Sequence, residues 1–195
     1  GGIGGLANLH DPDVITLGGL AALLRAAAPT TFDTAYRDGL MAFRMVPLNV
    51  GVAPLTERTS ALLVSGNYFS ALGLQPALGR FVREDDADAP GRSPVVVISH
   101  DYWHTRFGGA PDVIGKALRV NDLDLSIIGV TPPRFQGTVL GLQFDLWVPA
   151  TMAPVLLAGS RELEQRDVRG YYVMGALRPG VPLTEAQADA ATVMR

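Results

Sequence analysis

Cysteine is absent from this 195-residue chain. That excludes a disulfide scaffold and thiol catalysis, and it is neutral about compartment. Long apolar runs are missing too. The most apolar early stretch, Leu17 to Ala28, is interrupted by Arg25 and falls short of the ~20 residues a bilayer requires. No basic segment precedes an apolar one near the start, so no signal peptide is evident. Charge is sparse, 18% of residues with a net charge of -3 and no long basic block, which argues against nucleic acid as a partner. There is no G-x-S-x-G elbow and no Walker A loop. The expectation is a chain with no catalytic, cofactor-binding or metal-binding residue.

What is present is a core. Apolar residues make up 48% of the chain, enough for one domain or two small ones. The stretch Val64-Ser65-Gly66-Asn67-Tyr68-Phe69-Ser70-Ala71-Leu72-Gly73, continuing to Gly79-Arg80-Phe81, organises the rest. Ala61 to Val64 reads as a strand covered on both faces. Gly66 frees the backbone for a turn, and Asn67 is placed to cap the short helix after it. Tyr68, Phe69 and Leu72 share a helical face, and Gly73 is placed as its C-cap.

The remaining elements follow in order. A helix is expected over Leu17 to Ala28, stopped by Pro29, with a further helical turn from Thr31 to Asp38 in which Phe32 and Tyr36 meet. Met41, Phe43 and Met45 alternate as in a strand, and the parity slip at Pro47, Leu48 and Val50 predicts a bulge or an edge. Val95 to Ile98 is a buried strand, and Ser99 caps a helix carrying Trp103 and Phe107 that stops at Gly108-Gly109. Ala117 to Val120 and Leu123 to Val130 form a hairpin around Asn121-Asp122, where Asp tolerates the required positive φ less well than Gly. Phe135 to Gln143 is a Gly-punctuated loop, Asp145 to Pro149 a short strand, and Thr151 to Leu157 a short helix. Arg161 to Arg169 is the most charged segment and reads as a surface connection. Tyr171 to Leu177 is a strand, and Thr184 to Gln187 is a capping box opening a last helix.

Four patterns mimic chemistry. Gly2-Ile3-Gly4-Gly5-Leu6-Ala7 fits a dinucleotide fingerprint but has no strand before it. Glu84, Asp85, Asp86 and Asp88 lack the ligand spacing of a calcium loop and read as a solvated acidic loop. His100 and His104 flank Asp101 as in a zinc helix, yet His10 is the only other histidine, so a polar helix face is the better reading. Tyr68, Phe69, Trp103, Phe107, Phe135 and Trp147 would line a ligand groove or, more in keeping with their positions, anchor a core.

The run VSGNYFSALGLQPALGR resembles the extracytoplasmic core domain of MacB-like (FtsX-type) ABC transporter permeases, closest to the group in which that domain occurs twice per chain. The resemblance continues through Pro94 to Ser99, Trp103 to Gly109, Ile114-Gly115-Lys116, Ile127 to Pro133, Phe135 to Thr138, Asp145 to Pro149 and Leu177 to Val181. It covers roughly residues 32–195. It implies an α+β domain of two lobes. A porter-like βαβ lobe would comprise residues 1–81 plus 166–195, with a mostly-β lobe of residues 82–165 inserted between them. It further implies a non-enzymatic periplasmic domain of a cell-membrane permease for transport or efflux, relaying ATP-driven movement to substrates or partners outside the membrane. Its own partners would be flanking transmembrane helices, a separate ABC ATPase and, in the intact permease, a second copy. Two other readings stand beside it. One is a small-molecule or lipid-binding module using Phe135 to Trp147, and the other a metallohydrolase using His100 and His104.

Overall fold

The computed structural model describes residues 6–8, 36–52, 54–163 and 170–177, with single positions at 180, 182 and 184. Among them lie nine strands. β1 (Leu6–Asn8), β2 (Tyr36–Val52), β3 (Leu55–Val64), β4 (Leu78–Gly79) and β5 (Val95–Ile98) come first. β6 (Ala117–Val120), β7 (Leu123–Val130), β8 (Leu146–Pro149) and β9 (Tyr172–Leu177) follow. Three short helices interleave: α1 (Tyr68–Ala71), α2 (His100–Phe107) and α3 (Ala153–Leu156). The fold is mixed α+β and dominated by sheet. The sequence-expected helix over Leu17 to Ala28 lies outside the described residues, as does the capping box beyond Thr184.

The strands pair in the order β1-β9-β2-β3-β8-β5-β7-β4, and β6 bonds both β7 and β2. That second bond closes a circuit of six strands, β2-β3-β8-β5-β7-β6, through a single rung, Val50 opposite Val120. Alternation along each strand then divides the core. Even-numbered Val46, Leu48 and Val50 of β2 join Ala61, Leu63, Val96, Ile98, Leu125, Ile127, Leu146 and Val148 inside the circuit. Met41, Phe43, Leu62, Val64, Val97 and Trp147 point to the other face, where α1 and Phe144 cover them. Strands buried on both faces are the ones whose sequences are unbroken apolar runs, as expected for Ala61 to Val64 and Val95 to Ile98.

One expectation is corrected and a second is narrowed. Residues 36–38 belong to β2 rather than to a helical turn, because Tyr36 pairs with Leu177 from the far end of the chain and tertiary pairing overrides local spacing. The parity slip in β2 marks an edge, the second of its two expected causes, and not a bulge: on the side away from β3, residues 44–49 pair with no described strand. Phe43 to Val52 run in unbroken register with Val64 to Leu55. Met41 to Phe43 are covered on both faces, and beyond Met45 only the circuit side is, so the apolar positions pass from odd to even. The irregularity in β2 lies earlier, between Tyr36 and Leu40. Ser65 N–H donates to the Ala42 carbonyl, so even residues bond toward β3 and Pro47 turns its nitrogen outward. There it sits between the last β9 rung at Phe43 and the β6 rung at Val50, and no ladder bond is lost.

The β6–β7 hairpin forms as the sequence indicates. Asn121 and Asp122 both take positive φ, 43° and 64°, as a type I′ turn requires, so Asp is accommodated there.

Candidate interaction surface

The stretch from Val64 to Asp86 builds a shaped surface. Ser65 fixes its start: the hydroxyl accepts the Ala42 N–H at 2.9 Å and donates to Asn67 Oδ1 at 2.8 Å. Asn67 therefore occupies the N-cap position without making the side-chain cap expected of it. Gly66 is needed for space more than for backbone freedom. A Cβ there would stand 2.5 Å from the Cα of Glu84, because the chain returns directly over the turn. α1 buries Tyr68, Phe69 and Ala71, and Gly73 follows its end at φ 65°.

The returning segment is clasped. Arg80 donates two hydrogen bonds to Asp86, at 2.6 and 2.9 Å, and the Arg83 N–H adds a third at 2.9 Å. Asp86 is buried, which corrects the solvated-loop reading at this position. The Arg80 guanidinium holds its carboxyl below the usual carboxylate range, against the opposing effect of burial. Glu84, Asp85 and Asp88 remain exposed, as expected. Between the clasp and α1 runs a groove of about 770 Å³, lined entirely by residues 66–85, including Phe69, Gly73, Gln75 and Arg80.

Of the aromatic candidates, Tyr68, Phe69 and Trp147 are core, and Trp103, Phe107 and Phe135 pack half-buried against it. Phe69 stacks on Phe81 with ring centroids 3.9 Å apart, and Phe135 stacks on Trp147 at 5.5 Å. The Tyr68 hydroxyl meets that of Thr138 at 3.1 Å, and burial pushes the phenol up to about 12. The Trp147 indole N–H lies beside the same oxygen without reaching good hydrogen-bond geometry. These rings pack against one another beneath the Phe135 to Gln143 loop. What the loop offers outward is Leu140, fully exposed, and Leu142.

Ser99 caps α2 by accepting the Tyr102 N–H at 2.9 Å, and it donates to Asp145 at 3.0 Å. His100 and His104 stack tilted, 4.5 Å apart, on that helix. Among the described residues no three His, Asp or Glu side chains group so as to hold a metal ion. His10 lies outside them. Of the Gly2 to Ala7 fingerprint, Leu6 and Ala7 belong to β1, where a dinucleotide motif would have the turn after a strand.

The segment beginning at Arg161 departs from its surface reading at one residue. Glu162 is 2% exposed, ion-paired with Arg44 and hydrogen-bonded by the Tyr171 hydroxyl at 3.1 Å. A carboxylate inside a charged run carries no sequence signal that separates it from its exposed neighbours. Residues 164–169 lie outside the described set.

Known proteins agree on what this arrangement resembles. The family model for the MacB-like periplasmic core domain matches residues 4–193. The macrolide export ATP-binding/permease protein MacB of Burkholderia cenocepacia is 28% identical over 176 residues, 84% of this chain and 24% of that protein. The probable syringafactin export ATP-binding/permease protein SyfD of Pseudomonas syringae pv. tomato is 31% identical over 106 residues, 54% of this chain and 16% of that protein. This chain thus spans no more than about a quarter of the length of these permeases. The periplasmic region of MacB from Actinobacillus actinomycetemcomitans superposes with a TM-score of 0.66 at 17% identity, covering 95% of this chain and 74% of that one. The extracellular domain of the ABC-type transporter YknZ from Gram-positive bacteria does so at 0.63 and 13% identity, over 94% and 84%. At such identities the likeness is one of fold.

Proposed function

The chain belongs to the MacB-like periplasmic core domain family, an extracytoplasmic domain of ABC transporter permeases rather than an enzyme, and from that premise we propose that it relays ATP-driven movement of membrane segments to substrates or partner proteins outside. The match over residues 4–193 carries this reading. The geometry supports it. β1 and β9, the first and last described strands, are paired with each other, so movement delivered to both flanks enters at one edge of the sheet. From there β2 runs 17 residues, about 55 Å at ~3.3 Å per residue, to a hairpin tip bearing exposed Pro54 and Leu55. A long paired strand packed on both faces at Met41 to Phe43 serves as a stiff member.

Part of the same proposal is the division into a lobe of residues 1–81 with 166–195 and an inserted lobe of residues 82–165. The mutual pairing of β1, β9 and the start of β2 supports it, and the two lobes would share one sheet through the β3–β8 and β2–β6 pairs. Flanking transmembrane helices, a separate ABC ATPase and a paired second permease are the partners it implies. The relay is tested in the intact permease, reconstituted with its ATPase, by energy transfer from a dye on Leu55→Cys to an acceptor confined to the bilayer. Transfer should change on adding ATP. Equal transfer with and without ATP would overturn the relay.

A further inference from the structure

We propose that Arg44, Glu162 and Tyr171 form a conformational latch that joins a two-stranded flap, β1 with β9, to the closed circuit of strands. The flap hangs from the circuit by one ladder. β1 pairs only with β9 among the described residues, and β9 reaches the circuit only through β2. That ladder is regular from Leu40 to Phe43 and breaks register between Leu40 and Tyr36. Its firm end is therefore the rung Phe43 opposite Tyr172, where the two rings stack at 5.4 Å.

The latch sits one residue beyond that rung on each strand. Arg44 of β2 pairs with Glu162, and Tyr171, immediately before β9, donates to the same carboxylate. Tyr171 is 1% exposed, and burial pushes its phenol above the usual range, which keeps it a donor. Of the two buried carboxylates among the described residues, Asp86 closes a local turn, whereas Glu162 ties β2 to the entry of β9 across most of the chain.

A buried ion pair adds little net stability over an apolar contact, yet removing one partner costs a great deal. The arrangement thus holds the flap in one position and releases it sharply once the carboxylate is withdrawn. Gly170 belongs to the device. A Cβ there would lie 3.2 Å from the Arg44 Nε, so the guanidinium is seated over bare backbone. The latch itself follows from geometry alone. Its use as the point where membrane movement reaches the circuit rests on the function proposed above.

Native-state hydrogen exchange on the chain tests the latch apart from transport. In Glu162→Gln the amides of Tyr172 to Met174 should exchange at least about tenfold faster, while those of Val96, Val97 and Ile127 in the circuit change less than about twofold. Gly170→Ala and Tyr171→Phe leave both charges in place, and they should show the same selectivity at smaller size even if Glu162→Gln fails to fold. Arg44→Met combined with Glu162→Leu and Tyr171→Phe, which replaces the whole triad by apolar groups and leaves no buried donor unpaired, should return β9 protection to within about threefold of the parent. Acceleration spread evenly over β9 and the circuit, or none at β9 in these variants, would overturn the latch. A selective loss at β9 together with unaltered ATP response in the permease would leave the latch standing and remove only its role in the relay.

Discussion

Replacing Asn121 probes the closure of the strand circuit at its thinnest point. The only rung between β2 and β6 is Val50 opposite Val120, and Asn121 reinforces it from the adjoining turn. Its N–H donates to the Asn49 carbonyl, its Oδ1 accepts the Asn49 N–H, and its Nδ2 donates to the Leu156 carbonyl, each at 2.8 Å. It does so at φ 43°, a conformation that Asn tolerates and Ala does not. Asn121→Ala loses the bond to the part-buried Leu156 carbonyl, about 1 kcal/mol, and the more exposed one to Asn49, about 0.5 kcal/mol. It adds about 1 kcal/mol for the left-handed backbone, for a total of roughly 2–3 kcal/mol. Asn121→Gly loses the same bonds without the backbone cost and should fall about 1 kcal/mol short of the alanine variant. Asn121→Asp keeps an acceptor for Asn49 but has no donor for Leu156, so it should rank near glycine. Urea unfolding of the chain with unchanged m-values measures all three. Equal losses for Ala and Gly would refute the backbone part of the reasoning. Losses all under about 0.5 kcal/mol would refute the seam itself.

Other perturbations follow from the same geometry. Gly66→Ala drives a Cβ against backbone atoms of Glu84 that have no rotamer to yield, so it should cost about 2–3 kcal/mol in the same assay. A neutral result would mean the 80–86 return is loosely held. Trp147→Ala empties the centre of the aromatic cluster and should cost about 3–5 kcal/mol in a thermal or urea melt; a loss under about 1 kcal/mol would show that the rings do not share one packed core. Asp86 has a folded-state pKa below its unfolded value of ~3.9. Its contribution is thus fully present above that value and is lost as the pH falls through the folded one. The stability gap between the parent and Asp86→Asn should therefore hold steady from pH 7 to about 5 and narrow below about 4. A gap that widens in acid would contradict the clasp.

Much of this fold is legible in the sequence where the signal is local. Val95 to Ile98 and Ala61 to Val64 are unbroken apolar runs because both their faces are covered. Ser99 precedes a helix it does cap, and Asn121-Asp122 sits between two strands it does join. What depends on distant partners is not legible. Nothing near Tyr36 announces Leu177 as its neighbour, and the parallel pairing of β3 with β8 leaves no mark on either strand. Gly66 looks like a turn glycine, yet the reason for it lies in Glu84. Asp86 and Glu162 stand in charged runs whose composition reads as solvent-exposed, and only the positions of Arg80 and Arg44 reveal them as buried anchors. The groove beside α1 is the reverse case, since one continuous stretch supplies all of it and that stretch also carries the strongest family resemblance.

The most direct test of the extracytoplasmic assignment uses the absence of cysteine in this chain. A single cysteine replaces the exposed Leu55 at the hairpin tip in the intact parent protein, with any cysteines elsewhere in it removed. Cells are then treated with a membrane-impermeant maleimide. Labelling in intact cells, unchanged after the inner membrane is permeabilised, is the predicted result. Labelling that appears only after permeabilisation would place the domain on the cytoplasmic side and contradict it.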